Sequence, residues 1–241
     1  MPNVTLSAGG YRATQPAHVQ IRATIDTMNI LKGGKDIRNY SGTARKELLH
    51  GGTVEVIGKN GETLIGEAPK LALVVVSTVF RDYFEQNSTA SSVKVAYEFV
   101  DEDAVAKVLT WVNTIVRTTG KFGINIPDSN VDLIKVRYAA QTLGMDLYVS
   151  HFVKAYKDDL RLRTPPKEEC ALLEHSTVYK QDDLVNALGG RMAYLRRTRA
   201  FNKDGLVFLT EFLKANEKIG AAVQEADTRA NAKRAGGGTQ A

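Results

Sequence analysis

Between Lys70 and Arg81 the chain runs through ten residues, Leu71 to Phe80, without a charge. A bilayer crossing needs about 20 apolar residues, so this run belongs to a protein core and no transmembrane helix is expected. Its surroundings fix its type. Val54-Glu55-Val56-Ile57 and Glu62-Thr63-Leu64-Ile65 read as strands around Asn60-Gly61, which predicts a hairpin over 53–66. Pro69 suits the first turn of a helix, where its missing N–H costs nothing. Apolar residues at 73, 76, 80 and 84 recur at helical spacing. Four valines and a threonine among the ten leave a strand open, but Pro69 before and Phe80 and Phe84 after favour a helix over 69–86.

Downstream, Val93, Val95, Tyr97 and Phe99 alternate, the pattern of a half-buried strand over 93–100. Asp101 is a candidate N-cap for a helix over 102–116, with acids at 102 and 103 in its first turn. A loop over 117–130 leads to a helix over 131–143, closed by Gly144, and a further helix over 146–160. Pro165-Pro166 marks a boundary. Helical patterns follow at 167–180, 182–199 and 204–232, with Asp182 and Asp204 as caps and a last stripe of Phe208, Phe212, Ala215, Ile219 and Ala222. The expected organisation is a basic, largely flexible arm over 1–50, a domain opening at Gly51-Gly52 and running over 51–160, a helical extension over 167–232, and a flexible tail over 233–241. Within the arm, Val19–Leu31 is a short amphipathic piece, helix or added strand.

Candidate chemistry is sparse. The four histidines form no metal-ligand spacing, and the single cysteine, Cys170, excludes an intrachain disulfide and reads as a small buried hydrophobe. No GxSxG elbow, GxGxxG or GxxxxGK[ST] loop occurs, and a helix N-terminus accounts for Asp101-Glu102-Asp103. No catalytic, cofactor or metal site is therefore expected, and the expectation is a non-catalytic chain. The opening residues carry no basic start followed by an apolar stretch, so no secretory leader is expected, and the location read from this is cytoplasmic or nuclear. The net charge of +5 is divided as +4 over 1–50, −3 over 51–153 and +4 over 154–241. The cluster Arg191, Arg196, Arg197, Arg199 and Lys203, interleaved with Tyr194 and Phe201, is the candidate surface for an acidic partner. The favoured reading is that its cations complement the C-terminal end of a helix; behind it, a protein partner ranks ahead of nucleic acid.

Several segments within 53–160 carry a family resemblance. Val54-Glu55-Val56-Ile57-Gly58 and Leu64-Ile65-Gly66-Glu67-Ala68-Pro69-Lys70 look like paired opening strands. Ser77-Thr78-Val79-Phe80-Arg81 with Phe84 resembles a first-helix core. Tyr138-Ala139-Ala140 with Leu143-Gly144-Met145 and Leu147 is similar to the most specific segment of the BTB/POZ domain, and the chain resembles that family's divergent, small fungal type. Ala68-Pro69-Lys70, Gln141 and the run after Trp111-Val112 depart from the usual pattern. The resemblance implies an α+β fold, a BTB/POZ-like mixed sheet with flanking helices, followed by the helical extension. It implies a protein–protein interaction module acting as a homodimer, scaffold or hetero-assembly subunit, with a cullin adaptor as an alternative. Val19, Ile21, Ile25, Met28, Phe80 and Phe84 are then the candidate interaction residues.

Overall fold

A computed structural model describes residues 15–176 and 182–236; the expectations for the first residues of the arm and the end of the tail lie outside them. The fold is mixed α+β and mostly helical, with eleven α-helices and one three-stranded sheet among the described residues. Contacts divide it into two compact units. One holds the described residues up to Ile126 together with Lys135–Ser150; the other holds Pro127–Ile134 and the described residues from His151 on.

The first unit opens with α1 (Ala17–Ile30) and α2 (Gly42–Glu47). Expected as part of a flexible arm, this segment is helical and packed: Ile21, Met28, Ile37, Tyr40, Ala44 and Leu48 are all buried. The polar composition reads as an arm, yet Gln20, Thr24 and Arg45 are buried, and polar groups of the segment find backbone acceptors. Thr24 donates to Gln20 O at 2.8 Å, and Tyr40 to Gly34 O at 2.7 Å. The folded unit thus begins well before Gly51-Gly52.

The hairpin forms as its sequence dictates. β1 (Thr53–Ile57) pairs antiparallel with β2 (Thr63–Pro69), and Gly61 at φ +85° supplies the left-handed turn residue. β2 continues to Pro69, which is at once the last strand residue and the N-cap of the helix that follows, one place before the first turn. All seven residues of α3 (Lys70–Val76) are buried. Lys70 tolerates this because its ammonium donates to Ser88 O at 3.0 Å and Ala90 O at 2.8 Å.

The expected single helix over 69–86 breaks at Ser77, which is extended (φ −126°, ψ 127°) between α3 and α4 (Thr78–Gln86). The Ser77 hydroxyl accepts from Phe80 N–H at 3.0 Å, capping α4, and donates to Leu143 O at 2.5 Å. Arg81 donates to Val74 O and Val75 O, satisfying carbonyls that the break leaves open.

β3 (Ser92–Lys94) lies parallel to β1, giving the order β2-β1-β3. Only the start of the expected strand 93–100 forms. Val93 and Val95 are buried, whereas Tyr97 and Phe99 are exposed at 39% and 70%. The chain turns there, with Val100 N–H donating to Tyr97 O, and the alternation ends. α5 (Glu102–Ile115) is capped as expected by Asp101, which accepts from Ala104 N–H at 3.0 Å. Glu102 accepts from Lys59 N–H at 2.6 Å, so Asp101 and Glu102 each hold a backbone N–H.

Burial pushes the Asp101 carboxyl up, but Lys135 at 2.9 Å and the Ala104 N–H outweigh it and hold it below the usual carboxylate range. A depressed folded pKa means stability that is present above the unfolded value and lost as pH falls through the folded one. Asp101→Ala removes cap and ion pair together and is expected to cost about 1–2 kcal/mol at pH 7. Asp101→Asn keeps the cap and should cost about 0.5 kcal/mol. Urea unfolding at pH 7 and in acid, below the folded pKa, checks this: the cost of Asp101→Asn should vanish in acid.

α6 (Asn130–Thr142) ends at Gly144, at φ +66°, as its sequence position predicts. The helix expected over 146–160 is interrupted; a short 3-10 turn at Asp146–Tyr148 precedes α7 (Phe152–Leu160). Tyr148 accounts for the interruption. Its buried hydroxyl donates to Lys35 O at 3.2 Å and accepts from Ile37 N–H at 3.1 Å, and its ring packs 4.7 Å from Trp111.

The second unit is helical among its described residues. α7 buries Phe152, Tyr156 and Leu160. α8 (Lys167–Ser176), α9 (Asp183–Arg197), α10 (Lys203–Ala215) and α11 (Glu217–Gly236) follow. Residues 151–160 belong to this unit, so Pro165-Pro166 lies within it and is not its border. α9 and α11 approach closely at Gly189, where a Cβ would lie 2.6 Å from that of Ala222. Asp182 caps α9 as expected, but Asn202, not Asp204, caps α10. The single helix expected over 204–232 breaks at Asn216, and Glu174 of α8 accepts from Lys218 N–H and Ile219 N–H to start α11 afresh.

Candidate functional site

The α1 candidates divide by face. Ile21 and Met28 are buried against their own unit, Ile25 is half-buried, and Val19 is exposed at 37%. Ile30, which the sequence reading did not single out, is exposed at 83%. Phe80 and Phe84 are fully buried and stacked at 6.2 Å, so as interaction residues they are corrected to core residues. Helical spacing marked them as apolar but carried no sign of which face another element covers.

The basic cluster is also redistributed. Arg196 and Arg197 both pair with Asp227 of α11, Arg197 at 2.7 Å. Arg199 is exposed in a left-handed turn at φ +55°, and Lys203 is exposed at the start of α10. The five cations therefore do not make one patch. Arg191 and Arg197 share one surface. Both border an open groove of about 1110 Å³ on the second unit, whose cationic lining is Lys157, Arg161, Arg191, Arg197, Arg229 and Lys233. Asp183 is the single carboxylate in that lining. These cations come from α7 and its C-cap, α9 and α11, and only two of them belong to the cluster read from the sequence. The signal that finds the rest is the i,i+4 spacing of Lys157 with Arg161 and of Arg229 with Lys233.

Arg161, Arg197 and Arg229 each have a carboxylate neighbour: Asp158, Asp227 and Glu225. Among the described residues, Lys157, Arg191 and Lys233 make no ion pair. Arg191 is held in place by donating from Nε to Arg163 O at 3.0 Å, with its guanidinium 5.4 Å from the Tyr194 ring. The floor between the cations is small and aliphatic, with Ala187, Gly190, Ala226 and Ala230. A Cβ on Gly190 would meet nothing within 4 Å.

Beside the groove, Glu169 is buried and accepts from Tyr156 Oη at 2.5 Å and Arg163 at 2.7 Å, and Arg163 also pairs with Asp159. Burial and the Glu169 carboxylate push the Tyr156 phenol well above its usual range, so it stays a proton donor. Cys170, next along α8, is buried, and burial first, then Glu169, pushes its thiol up to about 12. A protonated, buried thiol is packing and not a nucleophile. Among the described residues no cluster of His, Cys, Asp and Glu is arranged to hold a metal, and no helix is long and apolar enough to cross a membrane.

Scans against protein-family models, curated proteins and solved structures return no match to this chain.

Proposed function

We propose that the chain is a non-catalytic protein–protein interaction module of BTB/POZ-like type that self-associates through its first unit. The observation that carries this reading is the order and pairing of elements: a hairpin, a broken helix pair, then β3 returning parallel beside β1, followed by α5 and α6. The order hairpin, helical segment, strand, helix and helix supports the resemblance read from the sequence. Self-association draws support from α1. Its inner face is spent on its own unit, while Val19 and Ile30 lie exposed on its outer side. The outer edges of β2 and β3 are also unpaired within the sheet, which leaves backbone donors and acceptors for a second chain.

Light scattering on the full chain tests this. The expected mass is twice the 26.4 kDa of one chain, falling to that of one chain for Val19→Asp/Ile30→Asp. Both sites are exposed, so the helix itself should persist, and circular dichroism verifies it. A single-chain mass for the unsubstituted protein at tens of micromolar removes self-association as its role.

A further inference from the structure

We propose that the cationic groove of the second unit binds an acidic amphipathic helix presented by a partner protein. This goes beyond self-association and does not depend on it, since every lining residue belongs to the second unit.

The groove's dimensions set the size of the occupant. An α-helix 10–12 Å across, rising 1.5 Å per residue, displaces roughly 120–170 Å³ per residue. A volume of about 1110 Å³ therefore accepts about eight residues, or two turns. The floor sets the character of the buried face. Ala187, Gly190, Ala226 and Ala230 offer little side-chain bulk, and the space over Gly190 is open, so an apolar helix stripe can come close to the α9 and α11 backbones. The walls set the charge. Lys157 on α7 and Arg161 at its C-cap stand one turn apart, as do Arg229 and Lys233 on α11. Residues at this spacing are about 5–6 Å apart, the repeat that carboxylates at i and i+4 present on a ligand helix. An apolar stripe flanked by glutamates would fill the floor and meet both rows of cations, the helix-in-groove mode of recognition.

Nucleic acid fits less well. Backbone-tracking sites join cations to several stacking platforms. Here the lining holds one aromatic ring, Tyr194, and Arg191 already lies 5.4 Å from it. The floor is aliphatic, and a concave slot two helix turns long does not enter a duplex groove.

The test is fluorescence anisotropy with the full chain and a fluorescein-labelled acidic peptide of about 20 residues, long enough to be helical alone. It carries leucine and alanine on one stripe and glutamate at the flanks. The comparison probes are a scrambled peptide of the same composition and a thymidine oligonucleotide. The acidic helix should bind about tenfold more tightly than the scramble, and more tightly than the oligonucleotide. Two variants with opposite logic keep the test sharp. Lys157→Glu/Lys233→Glu changes exposed, unpaired cations and should weaken binding about tenfold or more. Gly190→Phe leaves every charge in place and plugs the floor, and should weaken it to a similar degree. Each variant is checked for an unchanged helical spectrum. Equal binding of the scramble, tighter binding of the oligonucleotide, insensitivity to Gly190→Phe in a folded variant, or no binding of the acidic helix each overturns the proposal. Light scattering on the same samples reports self-association separately, so either reading can fail alone.

Discussion

Replacing Arg45 with methionine is expected to destabilise the first unit by about 3–5 kcal/mol, the cost of breaking a buried charged hydrogen-bond cluster. Arg45 is 1% exposed. Its guanidinium donates to Ile115 O at 3.1 Å, Gly120 O at 2.5 Å and Thr119 O at 3.0 Å. No carboxylate is among these partners. The counter-charge is the carbonyl end of α5, where the helix dipole is negative. Burial lowers the arginine pKa, yet an arginine starts so high that it stays charged. The one short segment α2 thereby holds the last turn of α5 and the loop after it. Methionine keeps most of the stem volume, so the loss isolates the polar contribution.

Stabilities run about 5–15 kcal/mol, so the change consumes a large share. At about 2–4 °C per kcal/mol for a unit of this size, the melting temperature should fall by roughly 10 °C. Arg45→Lys should lose about half as much, because one ammonium cannot reach both Ile115 and Thr119 with its three donors. Calorimetry measures both. An Arg45→Met protein within about 1 kcal/mol of the parent would mean that water takes over these carbonyls.

Arg45 also shows where the sequence stops being legible. Features encoded within a few residues are readable: the Asn60-Gly61 turn, the Asp101 and Asp182 caps, and Gly144 at the end of α6. Each depends on φ/ψ preference or a local hydrogen bond. The two breaks, at Ser77 and Asn216, depend on partners far along the chain. Ser77 is extended where it meets Leu143, and Glu174 restarts α11. An apolar period passes straight through both positions. The packed α1–α2 segment is hidden for the same reason, since Gln20, Thr24 and Arg45 look solvated until their backbone acceptors are known. The alternation at 93–100 misleads because Tyr97 and Phe99 continue a pattern whose neighbouring strand has ended. Of the candidate surfaces, the basic character of the C-terminal helices is visible in the sequence. The groove is not, because its cations are contributed by three helices separated by up to 76 positions, Lys157 to Lys233.

The second large effect is expected at Glu169. Its carboxylate is 2% exposed and is the hub between α7 and α8: Tyr156 donates to one oxygen and Arg163 to the other. Glu169→Ala leaves the phenol without an acceptor and half of the Arg163 guanidinium without its partner. Removing one member of a buried ionic group costs about 3–5 kcal/mol, mostly the penalty on the groups left behind. Glu169→Gln should cost less, about 2 kcal/mol, because its carbonyl still accepts from one neighbour while its amide turns a donor toward the other. The pairwise character is testable. In a double-mutant cycle with Arg163→Ala, the second substitution should cost at least about 1 kcal/mol less in the Glu169→Ala background than alone. Strict additivity would mean that Glu169 acts through packing and not through the pair. The same cluster reaches the groove, since the Arg163 carbonyl holds Arg191 Nε at 3.0 Å. Loosening Glu169 therefore frees Arg191 to leave its place beside Tyr194. Stability and groove affinity should fall together for Glu169→Ala, whereas Lys157→Glu/Lys233→Glu lowers affinity alone.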